Sequence, residues 1–279
     1  MPIVINHLQT LFHRVVHAVT KGKPDQWGQL GRNPKGDQVK WFDLAADLTV
    51  CAYLEAEFPY PVRLLSEEGE PRQFGQGEPA FTMVLDPVDG SENFSRELDP
   101  AAMAIALIPA NMPIAVGTVQ FGLVGNLFSG KIWIAERGQG AFCDGKAVNT
   151  SDVRQVAEAL LSCDLNKALV NASFASLLAS ARGVRACGAA TLDLARVASG
   201  VFDAHLDIRG RLTPENFLAS ALIITEAGGL ISDPRGNSLP PIESLTSGYG
   251  LVASATPQLH QAIIDRLDDS HPGLGQPAI

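Results

Sequence analysis

Asp86 and Asp89, in the stretch LDPVDGSENF, stand three positions apart around a proline and directly follow the apolar run FTMVL. Such a run reads as a buried strand, so its end delivers both carboxylates to the margin of a core. Pro87 fixes the backbone just beyond the strand, and Gly90 permits a sharp turn into a helix that begins near Ser91. The carboxylates then flank a bend and converge. Carboxylates gathered out of water repel each other, and a cation between them is the usual remedy. Oxygen-only donors favour Mg2+ over softer metals, while the Gly90 and Ser91 amides at a helix start would face an anion beside it. Cation and anion pocket together point to phosphate chemistry. Taken alone, Asp-Pro-x-Asp-Gly is equally an ordinary turn with solvated aspartates, because these residues are the commonest turn formers. A second acidic pair, Glu67 and Glu68 in SEEG, closes the preceding strand. In isolation it reads as a solvated charge pair, but beside another acidic strand end it points to a shared site.

The chain has the elements to hold such a centre. Ile5, Leu8, Leu11, Phe12, Val15, Val16 and Val19 recur at helical spacing and predict an amphipathic N-terminal helix. After the polar loop GKPDQWGQLGRNPKGD, residues 43–58 predict a second helix with Leu44, Leu48, Cys51 and Leu54 on its apolar side, closed by Pro59. PVRLLSEEGE and FTMVLD read as strands ending in Glu67-Glu68 and Asp86; AAMAIALIPA, PIAVGTVQFG and KIWIAERGQGAF read as strands of an antiparallel sheet. From about residue 155, strand-length segments (ALLSCDL, GVRAC, VFDAHLDI, GGLISD, YGLVAS) alternate with helix-length ones (TLDLARVAS, PENFLASALIITEA, TPQLHQAIIDRL). The expected fold is α+β with an α/β second half. Residues 1–154 form the half that carries the acidic motifs, residues 155–279 the other, and the two pack as one compact unit. The tail SHPGLGQPAI is expected to be unstructured.

Hydrophobic residues make up 46% of the 279, enough to bury a large core, and the charged fraction of 18% is that of an ordinary globular protein. A net charge of −9 without any Lys or Arg cluster argues against a generic nucleic-acid surface. No apolar run is long enough to span a bilayer, and the N-terminus has neither the basic start nor the small-residue cleavage site of a signal peptide. Cys51, Cys143, Cys163 and Cys187 lie far apart among apolar neighbours, which predicts reduced thiols and a cytoplasmic address. None of the six histidines falls in an acidic motif, so a histidine nucleophile or base is unsupported.

SEEG, DPVDGSENF, FDAHLDIRG and TEAGGLISD, in that order, resemble the signature elements of the inositol monophosphatase superfamily of magnesium-dependent, lithium-sensitive phosphatases. The likeness runs from about Lys40 to Asp233, and Asp207-Ile208-Arg209-Gly210 is more similar to the archaeal-type branch, which acts on inositol phosphates and fructose 1,6-bisphosphate. The resemblance implies a layered α/β/α/β/α sandwich, a homodimer, two or three Mg2+ per site and inhibition by Li+. It implies that Glu67 ligates the first metal, Asp86 bridges two metals, the Val88 carbonyl joins the first and Asp89 holds the second. Ser91 stands where the family usually has threonine and would orient the attacking water, with its amide and that of Gly90 facing the phosphate. Asp43, in KWFDLAAD, falls where the family has an aspartate that assists this water; it is equally a helix N-cap. Gly188 and Ala189 match a segment lining the substrate side, or form a small-residue turn opening the next helix, and Arg209 is a further candidate for substrate contact.

One element departs from the pattern. The family's late metal ligand is an aspartate after tryptophan, shortly before a buried helix and Glu-Ala-Gly-Gly; counting back from Glu226 without a gap puts Glu215 and Asn216 at those positions. Thr213 would be the N-cap of that helix, Pro214 its first residue and Gly228 its stop. Asn216 is then either a residue of the first turn or a neutral ligand through its amide oxygen, and Glu215 compensates only if it reaches the same side, which adjacent residues of an α-helix do poorly. The implied function is hydrolysis of a small phosphorylated polyol, sugar or nucleotide by metal-activated water. The alternative is a catalytically weakened relative acting as a binding or regulatory protein.

Overall fold

The computed structural model describes residues 2–21, 40–168 and 170–268; the loop GKPDQWGQLGRNPKGD and the tail SHPGLGQPAI lie outside them. Apolar runs such as FTMVL and MAIALI send hydrophobic side chains to both faces, which suits strands covered on both sides. They lie at the centre of the first sheet, whose strands are β1 (Val62–Ser66), β2 (Arg72–Phe74), β3 (Phe81–Asp89), β4 (Ala102–Pro109), β5 (Phe121–Asn126), β6 (Ile132–Glu136), β7 (Ala141–Cys143) and β8 (Lys146–Val148). The order is β2-β1-β3-β4-β5-β6-β7-β8, antiparallel throughout except for the parallel pair β1 and β3. A second sheet has the order β10-β9-β11-β13-β12. Its strands are β9 (Leu160–Cys163), β10 (Gly183–Arg185), β11 (Ala204–Leu212), β12 (Leu230–Ser232) and β13 (Tyr249–Ser254). The helices are α1 (Pro2–Thr20), α2 (Trp41–Ala56), α3 (Ser91–Ser95), α4 (Ala172–Ser180), α5 (Ala190–Ala198), α6 (Leu218–Glu226) and α7 (Pro257–Asp268).

Alternation along β4 sets the layers. Met103, Ile105 and Leu107 pack with Leu8 and Phe12 of α1 and Phe42 and Val50 of α2. Ala102, Ala104 and Ala106 face the other way, onto Leu192 and Val197 of α5 and Leu222 and Ile223 of α6. These small side chains bring α6 close: a Cβ on Gly122 of β5 would stand 2.7 Å from the Ala219 carbonyl oxygen. Leu218 through Ile224 are all buried, as befits a helix apolar on every side. Leu251 and Ala253 of the second sheet close the middle layer from the far side. Ala204, Leu206 and Val252 face outward onto Phe174 and Leu177 of α4 and Leu259 and Ile263 of α7. The layers therefore run helices, sheet, helices, sheet, helices, the α/β/α/β/α sandwich that the resemblance implies.

Local structure differs from expectation at several points. PIAVGTVQFG is strand only from Phe121, because the Thr118 hydroxyl donates to the Pro113 carbonyl at 2.6 Å and accepts the Ala115 N–H at 3.1 Å, closing a 3-10 turn at Val116–Thr118 instead of a ladder. KIWIAERGQGAF is two strands, and the Glu226 carboxylate holds the turn between them by accepting the Gly138 and Gly140 N–H groups at 2.8 and 2.9 Å. α4 goes beyond the sequence expectation, with Asn171 as its cap accepting the Phe174 N–H at 2.8 Å. α2 begins at Trp41, not Asp43, and is rotated: Phe42, Ala46, Val50, Tyr53 and Leu54 point inward, whereas Leu48 is 55% exposed. Asp43 and Asp47 lie on the inward face with them.

Candidate active site

Successive side chains of a regular strand point to opposite faces, so residues three apart would diverge. β3 does not end at Asp86; it continues to Asp89 through an irregularity in its register with β4. Asp86 lies opposite Ala104 and Asp89 opposite Ala102, so β3 spends one residue more than β4 over this interval. That is a β-bulge, and it contains Pro87, whose missing N–H a bulge tolerates. The extra residue restores parity. Both aspartates therefore share the face of Ala102 and Ala104, which looks onto α5 and the start of α6.

Asp86 is 1% exposed and surrounded by other acids. One oxygen accepts the Val88 N–H at 2.9 Å; the other accepts Nδ2 of Asn216 at 2.5 Å. Burial, then the charges of Glu67, Asp89 and Glu215, hold its carboxyl well above the usual carboxylate range, and Glu67 also shares a hydrogen bond with it. Asp89 accepts both the N–H and the hydroxyl of Thr191, at 2.8 and 2.5 Å, and so caps α5 from another part of the chain. Burial raises Asp89 to about 7 against the pull of those two bonds. Thr191 carries no acid-like signal in the sequence, although it stands in the same CGAATLD segment as Gly188 and Ala189.

Asn216 reaches this centre with its nitrogen rather than its oxygen, which instead accepts the Thr213 hydroxyl at 3.0 Å. The amide therefore faces Asp86 as a donor that tethers it. Pro214–Asn216 is a 3-10 turn and the α-helix starts only at Leu218, so the α-helical spacing that set Glu215 apart from Asn216 does not apply. The Thr213 hydroxyl bonds Glu215 as well as Asn216, instead of capping a backbone amide, and gathers both side chains toward Asp86. Glu215 is 2% exposed.

The loop after β3 builds the facing wall. Gly90 has φ +78°, and a Cβ there would lie 3.1 Å from the Ala189 Cβ, the Gly188 carbonyl and the Pro100 carbonyl, so conformation and space both demand glycine. Asn93 of the same motif donates Nδ2 to the carbonyls of Pro100 and Cys187 at 2.8 and 2.7 Å, locking the two segments together. Lys40 donates to the Ser91 carbonyl at 2.9 Å, and the Phe42 and Phe94 rings meet edge on at 4.7 Å, which seats the start of α2 against α3. Asp43 is the third helical residue of α2, not its N-cap; its Oδ2 accepts the Lys40 N–H at 2.8 Å. Burial, reinforced by Glu67, raises it to about 6 despite that bond.

Arg209 is committed to Asp207 at 2.9 and 2.5 Å and to Asp164 at 2.8 Å, a network that braces β11 against the loop after β9. The Val88 side chain packs into the outer core, so only its backbone serves the bulge. His7, His205 and His260 are bonded to Tyr53, Ser162 and the pair Ser232 and Ser254, away from the acids.

The donors at this centre are all hard oxygens, and their mutual repulsion suits a small divalent cation. Among the described residues, no group of three or more His, Cys, Asp or Glu side chains is spaced as a ready-made metal site. Mg2+ does not need one, since it is held by one or two carboxylates and completed by water and substrate phosphate. The residues fit an open Mg2+ centre of that kind.

The family described as inositol monophosphatase family matches residues 3–271, and the chain belongs to it and is a phosphoric monoester hydrolase. The chain is 31% identical over 241 residues, 84% of either chain, to a fructose-1,6-bisphosphatase/inositol-1-monophosphatase of Methanothermobacter thermautotrophicus. It is 30% identical over 243 residues, 84% of this chain and 86% of the other, to an inositol monophosphatase 2 of Solanum lycopersicum. The solved structure of the extragenic suppressor protein suhB of Bartonella henselae has the same fold, with a TM-score of 0.80, 22% identity and coverage of 96% of this chain and 99% of that one. The family is generally metal-dependent, and no helix among the described residues is long and apolar enough to cross a membrane.

Proposed function

We propose that the chain hydrolyses the phosphate monoester of a small polyol or sugar, with Mg2+ held by Glu67, Asp86, the Val88 carbonyl and Asp89. The observation that carries this is the bulge in β3, which turns the buried Asp86 and the half-buried Asp89 to one face where Glu67 and Glu215 add their charge. Glu215 supplies the carboxylate that position 216 lacks, and Asn216 fixes the orientation of Asp86. Magnesium, when bound, supplies the positive charge that eases deprotonation of an attacking water and neutralises the phosphate. The chain's own residues do the rest. Asp43 Oδ2 is occupied by the Lys40 N–H, so Oδ1 is the atom that takes the proton from water, with the Ser91 hydroxyl orienting it. A carboxyl raised to about 6 is a better base near neutral pH than an ordinary one. The Gly90 and Ser91 amides face the phosphate, and Gly188 and Ala189 leave room for the alcohol.

The names of the relatives suggest inositol 1-phosphate and fructose 1,6-bisphosphate as first substrates. Purified protein with millimolar Mg2+ should release phosphate from at least one of these or from adenosine 3′,5′-bisphosphate, and Li+ should inhibit it. Inertness across that set at every magnesium concentration would reject the proposal.

A further inference from the structure

Arg72 opens β2 and lies opposite Leu64 of β1, across a hairpin whose turn carries Glu67, Glu68, Gly69 and Glu70. β2 is three residues long and forms one edge of its sheet, so the sheet grips this hairpin from one side only. α2 provides a second hold. Arg72 donates Nη1 to Asp47 Oδ2 at 2.8 Å and Nη2 to Asp47 Oδ1 at 2.5 Å, the parallel fork by which a guanidinium orients on a carboxylate. The same guanidinium underlies the turn: a Cβ on Gly69 would meet it at 3.8 and 3.9 Å. Asp47 follows Asp43 by one helical turn on the inward face of α2, and the two are 7% and 5% exposed. One helix face thus carries the Asp43 carboxylate and, a turn later, the carboxylate that grips the Glu67 hairpin.

We propose that Asp47 and Arg72 are positioning residues for the acidic centre: their ion pair fixes the Glu67 turn against α2 and so sets where Glu67 stands relative to Asp86 and Asp43. A partly exposed ion pair adds little to stability, so its value here is geometric. It also accounts for Asp47 on the inward face of α2, one residue before the exposed Leu48. The fork requires arginine, because an ammonium at the same place keeps the charge and loses the paired bonds. This proposal rests on Glu67 serving the magnesium centre.

The test is Mg2+ binding to metal-free protein, measured by isothermal titration calorimetry without substrate, with circular dichroism as the check of folding. Glu67→Gln should weaken binding. Arg72→Met and Asp47→Asn should each weaken it about tenfold or more, as loss of an outer partner at a metal site does, and Arg72→Lys should recover little of it. The double variant Arg72→Met with Glu67→Gln should bind no more weakly than Glu67→Gln alone, because the clamp acts through that one side chain. Should Arg72→Met fail to fold, the isosteric Asp47→Asn takes its place in the cycle. Losses that multiply in the double variant, or wild-type affinity in the folded clamp variants, would overturn the proposal while leaving the magnesium centre intact. Wild-type affinity in Glu67→Gln would overturn both.

Discussion

Position 216 decides how much negative charge the centre carries. Asn216 donates to Asp86, whereas an aspartate there would add a charge beside a carboxyl whose pKa burial and neighbouring acids already push well above the usual range. Asn216→Asp should therefore lower the melting temperature of the metal-free protein, and lower the magnesium concentration for half-maximal phosphate release by about tenfold. Glu215→Gln should raise that concentration by a similar factor. Unchanged magnesium titrations in both variants would remove this turn from the metal centre. The types and spacing of Glu67, Asp86 and Asp89 were legible in the sequence, because acidic pairs that alone read as a turn or a solvated pair fall at the ends of consecutive strands. The orientation of Asn216 and the place of Glu215 were not. Both depend on a 3-10 turn and on the Thr213 hydroxyl bonding side chains instead of a helix amide.

The bulge in β3 is the device that makes a three-residue spacing useful, and Gly90 lets the chain leave it. Gly90→Ala must adopt a left-handed backbone while pressing on Ala189, Gly188 and Pro100. It should destabilise the fold by about 1–3 kcal/mol in denaturant unfolding and sharply reduce phosphate release. A fully stable and active variant would show that the wall at Gly188 and Ala189 is not as close as described. Pro87 and Gly90 hinted at a bend in the sequence, but the bulge is a property of the pairing with β4, which local sequence does not encode. The same limit misled the expectation for α2. Counting apolar residues chose the face of Leu44 and Leu48, whereas contacts distant in sequence, Asp47 to Arg72 and the Phe42 ring on Phe94, set its rotation.

Across the whole molecule, the alternation of strand-length and helix-length segments made an α+β fold with an α/β second half legible, whereas the five-layer order was implied only by the family resemblance. Proton and metal balance is a property at this scale too. Asp89 keeps its proton up to about 7 and Asp43 up to about 6, against 3.8 for an ordinary aspartate. Through that window the folded chain holds protons that the unfolded chain has released, so these groups favour the fold on the acid side and lose that advantage as pH rises through about 7. His205, held neutral with a pKa of about 4 against 6.5, acts oppositely: its contribution is present above 6.5 and lost as pH falls toward 4. Mg2+ competes with the protons on Asp86 and Asp89, so the rise in melting temperature on adding Mg2+ should grow from about pH 5 to about pH 8. An increment independent of pH would mean that these carboxylates do not take up the ion. The most direct test of the central claim is a calorimetric titration of metal-free protein with Mg2+ at about pH 8, comparing wild type with Asp86→Asn. The account predicts saturable binding in the wild type and its loss in the variant; no saturable binding, or equal binding in both, would contradict it.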